Sequence, residues 1–121
     1  MIHQASVYDR DPPAGLRVLV MRYWPRGIRR DRVDAWLRDA APSRELVDAY
    51  MHHGLPWAEF DARYRAEIQA RPDVLTQLRA LEREHGSLVL LCHERIPPAE
   101  HCHRQILADL LETVGDVAPR A

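Results

Sequence analysis

The stretch "SLVLLCHERIPPAEHCHRQILADLL", residues 87–111, decides the fold. Leu88 to Leu91 form a short unbroken apolar run, which is how a strand covered on both faces reads. The run stops at Cys92-His93-Glu94, and a loop carrying Pro97 and Pro98 follows. Then His101-Cys102-His103-Arg104 opens a segment in which Ile106, Leu107, Leu110, Leu111 and Val114 recur at helical spacing, predicting a helix over about 101–113. A strand buried on both sides implies a parallel sheet with layers above and below it.

Working outward, "LRVLVMRYW" at residues 16–24 reads as a second buried strand that ends at Pro25 and Gly27. "IHQASVY" at residues 2–8 reads as a short first strand, separated from the second by the turn-forming "DRDPPAG". The middle of the chain is expected to be helical. Asp31 would cap a short helix with Val33, Trp36 and Leu37 inward. Pro42-Ser43 would start another, with Leu46, Val47, Tyr50 and Met51 on one side and Gly54 closing it. Pro56 begins the stripe Trp57, Phe60, Tyr64, Ile68, and Glu59–Arg63 and Asp61–Arg65 make i,i+4 pairs on the opposite face. Pro72 opens a helix carrying Leu75, Leu78 and Leu81 that stops near Gly86. The expectation is therefore an α/β fold: a small, mostly parallel sheet flanked by helices, one domain over residues 1–121, with a frayed tail at about 115–121.

Composition narrows the function classes. The 121 residues suffice for one core, and a net charge of −1 gives no global attraction to nucleic acid or anionic membrane. All 17 basic residues counted as Lys or Arg are arginine, which excludes lysine chemistry such as a Schiff base. No run is long enough for a membrane span, and the opening "MIHQASVYDRDPP" lacks a basic region followed by an apolar one, so no export signal is expected. Two cysteines in such a chain suggest reduced thiols and a cytoplasmic setting, with a disulfide between them the lesser reading.

In parallel sheets, ligands bind beyond the carboxyl ends of the strands. Two segments are expected there: "RYWPRG" and "CHERIPPAEHCHR". Three chemistries are open. Arg22, Arg26 and Arg104, with Trp24 as an aromatic wall and Glu94 orienting Arg104, would make a pocket for a small anion, phosphate ester or nucleotide. Cys102, at a predicted helix N-terminus beside His103, would be a thiol nucleophile or redox thiol with the imidazole as its base. A metal site is not favoured, because His101 and His103 point to different sides and there is no CxxC or HxxxH; the fallback ligands are Cys92, Glu94 and Cys102 with a histidine. Against each stands a plain structural role: Trp24 in the core, Arg26 in an ion pair, the two cysteines as small buried residues. The run "RGIRRDR" also allows a non-catalytic module that meets the phosphates of a nucleic acid.

The pattern of a strand followed by "WPRG", an Asp-x-Trp-Leu, "APS-x-EL", Trp-x-x-Phe and "RY" resembles the YeaO-like family, domain-of-unknown-function family 488. The ending "LLCHERIPPAEHCHR" is similar to its "LLC-x-E…CHR" signature. The resemblance spans nearly the whole chain. It implies a small soluble α/β domain and signature positions at Trp24, Pro25, Arg26, Gly27, Cys92, Glu94, Cys102, His103 and Arg104. It implies no settled activity. The chain departs from the pattern where Met21 replaces an aspartate, Tyr23 a leucine, and "HHG" the usual "HD", so a function resting on those acids would be missing here.

Overall fold

The computed structural model describes residues 1–96 and 99–117. Four strands, β1 (Ile2–Ser6), β2 (Leu16–Leu19), β3 (Ala35–Trp36) and β4 (Leu88–Cys92), form one sheet in the order β1-β4-β2-β3, and every pairing is parallel. All five residues of β4 are buried, as expected of the strand that pairs on both edges. Four helices follow the edge strand β3 or end the chain: α1 (Arg44–His52), α2 (Trp57–Gln69), α3 (Pro72–His85) and α4 (His103–Val117). The last helix starts two residues later and runs further than the sequence indicates. Residues 118–121 of the expected frayed tail, and Pro97 and Pro98 of the loop, lie outside the described residues.

The two faces of the sheet are covered differently. Val18, Leu88 and Leu90 face the helices and pack with Phe60, Tyr64, Ile68, Leu78 and Leu107. Leu19, Val89 and Leu91 face the other way, and there, among the described residues, the cover is not an α-helix. Met21, Trp24, Ile28 and Val33, from the chain joining β2 to β3, close that face together with Trp36 of β3. This chain is pinned by hydrogen bonds: the indole N–H of Trp24 donates to the Ile28 carbonyl (2.9 Å), and that of Trp36 to the Met21 carbonyl (2.7 Å). The two indoles meet edge to face, with ring centroids 5.4 Å apart.

The helix expected from Asp31 does not form. A 3₁₀ turn at Arg30–Arg32 leads into the two-residue strand β3. Asp34 accepts from the Arg17 backbone N–H (2.8 Å) and from its guanidinium, which draws residues 34–36 alongside β2. The other helices form as their sequences indicate. Ser43 caps α1 by accepting from the Leu46 N–H, and Pro72 stands in the first turn of α3. Phe60, Tyr64 and Ile68 are the buried residues of α2, while Arg65 reaches both Asp61 and Asp109 and so ties α2 to α4. Gly15 has φ 146°, and a β-carbon there would sit 3.0 Å from the Ser87 carbonyl, so the turn before β2 requires glycine.

Candidate functional site

After β2 the chain leaves toward the helix-free face, while after β4 it passes into α4 on the helical face. Connections that diverge from neighbouring strand ends leave a crevice between them. A cavity of about 740 Å³ opens there. Its floor holds Cys92, Cys102 and His103; its walls include Met21, Arg22, Arg44, Tyr50, Trp57 and Glu94.

The floor is built from two chain ends held tightly. At the end of β4, the Cys92 carbonyl accepts from the Val7 N–H (2.9 Å), and the Ser6 hydroxyl donates to the His93 carbonyl (3.0 Å). At the start of α4, Cys102 takes the N-cap position, and its own N–H donates to Oε1 of Gln105 (3.0 Å). That is the return half of a capping box, with sulfur where Ser or Thr usually stands. The Sγ atoms of Cys92 and Cys102 and a ring nitrogen of His103 all lie within 4.8 Å of one another, and both cysteines are free thiols.

The tautomer of His103 follows from its partners. Nε2 lies 2.7 Å from the Val20 carbonyl, which can only accept, so Nε2 carries the proton. Nδ1 then presents its lone pair toward Cys102 Sγ, 3.8 Å away. The ring of Tyr64, buried beneath with its hydroxyl donating to the Ala40 carbonyl, stands nearly perpendicular to the imidazole at 5.6 Å and keeps it in place.

The two sulfurs differ in acidity. The Cys102 thiol is pushed well down by the hydrogen bond it accepts from Cys92, and further by the Arg104 backbone N–H, against the opposing effect of burial. Cys92 is pushed up, because it is the donor of that bond and is buried. The helix N-terminus decides the order, since only Cys102 stands at one.

The structure brings four of the expected residues to this cavity: Arg22, Glu94, Cys102 and His103, with Cys92 of the fallback set. Their partners differ from the expected ones. Arg22 donates to the Pro42 carbonyl (3.1 Å), and the Glu94 carboxylate pairs with His93 (2.9 Å) instead of Arg104. Arg104 is 2% exposed and donates through Nη1 to the Glu94 main-chain carbonyl (2.7 Å). It clamps the loop between strand and helix and does not line the cavity. Trp24 belongs to the core of the helix-free face, and Arg26 is exposed on the turn whose carbonyl accepts from the Tyr8 hydroxyl. Neither lines the cavity, because the chain turns away from the strand axis after Val20. Part of the "RGIRRDR" run is engaged within the molecule. Arg32 donates to the Val7 and Asp9 carbonyls, Arg29 pairs with Asp31 (3.5 Å), and the Arg30 guanidinium lies 6.0 Å from the Trp24 ring centre.

Sequence reasoning did not single out Arg44, Tyr50 or Trp57 as site residues, though all three line the cavity. Arg44 carried a usable signal: a cation in the first turn of α1 runs against the helix dipole. Trp57 stacks on His101 with ring centroids 4.4 Å apart, a pairing across 44 residues that no local pattern indicates.

Among the described residues no helix is long and apolar enough to cross a membrane. Comparison with known proteins finds relatives over nearly the whole chain. The uncharacterized protein Rv3073c of Mycobacterium tuberculosis (strain ATCC 25618 / H37Rv) is 40% identical over 113 residues, covering 91% of this chain and 92% of that protein. The uncharacterized protein YeaO of Escherichia coli (strain K12) is 31% identical over 111 residues, covering 89% of this chain and 94% of its own length. No solved structure matches. The model of the active DUF488-N3 subclade, DUF488-N3a, matches residues 2–115, and the chain belongs to that family.

Proposed function

We propose that the cavity binds a small anionic ligand, of the phosphate-ester or nucleotide class, and that its floor is the reactive part of an enzyme. One observation carries the reading: a thiol at a helix N-cap and an imidazole of fixed tautomer meet at the bottom of a cavity whose wall holds Arg22 and Arg44. In the metal-free protein, Cys102 is the nucleophile and Nδ1 of His103 takes its proton, a pairing supported by the 3.8 Å approach. Arg44 is the cation left to meet the ligand's charge, since Arg22 is partly engaged with Pro42. The aromatic wall is Tyr50 and Trp57 in place of Trp24. A reducing compartment such as the cytoplasm suits the site, because two thiols this close would oxidise elsewhere.

The test is calorimetric titration of the reduced protein with inorganic phosphate and a set of nucleoside monophosphates. The expected result is saturable binding that weakens about tenfold or more in Arg44→Ala and is unchanged in Arg26→Ala. No binding by any of these anions, or equal loss in the two variants, would remove the anion reading.

A further inference from the structure

We infer that Cys92, Cys102 and His103 form a three-ligand site for a zinc-class divalent cation, with the fourth coordination position open to the cavity. The inference rests on the reading of the floor as the reactive part of the cavity, and it states what the floor holds when an ion is available.

The donor set is soft sulfur plus imidazole, the chemistry that zinc selects. The spacing fits. Zinc bonds of about 2.0–2.3 Å give tetrahedral edges of roughly 3.3–3.8 Å between donors. Cys102 Sγ and His103 Nδ1 are 3.8 Å apart, and the three donors lie within 4.8 Å of one another before any ion draws them in.

The support around the donors also fits. A ligating histidine usually donates its far N–H to a carbonyl or carboxylate, which fixes the ring and makes the near nitrogen more basic. His103 does so to Val20 at 2.7 Å. The donors come from a strand end and a helix start, each locked by its own hydrogen bonds, so little ordering remains when the ion arrives.

Charge gives a third argument. Two thiolates and a neutral imidazole balance one divalent ion, and the open position then attracts an anion. Each thiol that is protonated beforehand releases its proton to solvent as its sulfur–metal bond forms. With the ion in place, Cys102 is a ligand, and the reactive position passes from sulfur to the metal's fourth site.

The experiment uses the full chain, reduced, stripped with a chelator and titrated with Co²⁺ and then Zn²⁺. The expected result is one ion per chain, with thiolate-to-cobalt charge-transfer absorption that Zn²⁺ abolishes. Cys92→Ser, Cys102→Ser and His103→Ala should each weaken binding by about 100-fold or more, with circular dichroism used to select variants that keep the fold. Absence of the charge-transfer band in the wild type, or a band unchanged in a folded Cys92→Ser variant, would overturn the inference. Phosphate titration of the chelator-treated protein separates the two readings. Phosphate binding without cobalt binding sinks only the metal site, and cobalt binding without phosphate binding sinks only the anion reading.

Discussion

Nε2 of His103 and the carbonyl oxygen of Val20 lie 2.7 Å apart, joining the first turn of α4 to the end of β2. The contact sets which ring nitrogen faces the sulfurs. We therefore expect long-range ¹H–¹⁵N correlation spectra at pH 8 to show His103 as the Nε2–H tautomer. An Nδ1–H pattern would mean that the imidazole offers the thiols a donor and not a lone pair.

Tyr64 supports that imidazole from below and is fully buried. Tyr64→Phe leaves the Ala40 carbonyl without its donor and should cost about 1–3 kcal/mol in urea unfolding. The same variant should leave cobalt stoichiometry at one ion per chain. Loss of the ion with no loss of stability would assign the phenol to the site itself.

Arg104 and Arg26 should behave oppositely. Arg104→Ala removes a buried guanidinium that holds the Glu94 carbonyl, and should destabilise the fold by roughly 2–4 kcal/mol. Arg26→Ala alters an exposed side chain and should stay within about 0.5 kcal/mol of the parent. Chemical denaturation of the two variants side by side decides; equal midpoints would show that Arg104 does not act as the loop clamp.

Asp34 gives a pH dependence whose sign follows from its partner. Its hydrogen bonds and charge pairing with Arg17 hold its pKa below the usual carboxylate value, with burial opposing. The stability it contributes is thus present above the unfolded pKa of about 3.9 and is lost as pH falls through the lower folded value. Asp34→Asn should be less stable than the parent by about 1 kcal/mol or less at pH 7, because the pair is partly exposed. The difference should shrink as pH falls below about 4. A gap that widens in acid would contradict the pairing.

The sheet was legible where apolar runs could only mean one thing. Leu88 to Leu91 are buried on both faces, and the stripe Phe60, Tyr64, Ile68 reads correctly because a 13-residue helix repeats its period. Val33, Trp36 and Leu37 misled because a spacing of three and four over five residues fits a helix turn and an edge strand alike. Long-range hydrogen bonds from Arg17 and to Met21 decided for the strand. The gathering of Cys92, Cys102 and His103 was legible as a loop and a helix start, since both cysteines lie within eleven residues of each other. The anchoring of His103 on Val20 was not, because it depends on β2 lying beside β4 in the sheet. Trp24 and Arg26 were placed at the cavity on the assumption that the chain continues straight past Val20, and its turn onto the second face is a tertiary event.

That turn makes Val20 a keystone. It hydrogen-bonds Leu91 through its N–H and His103 through its carbonyl, and the next residue, Met21, is gripped by Trp36 from the opposite side of the sheet. Damage to the indole layer is thus one peptide unit from the imidazole. A substitution at Trp36, which does not line the cavity, should shift the imidazole through two consecutive peptide groups, so a residue outside the crevice helps to set its geometry.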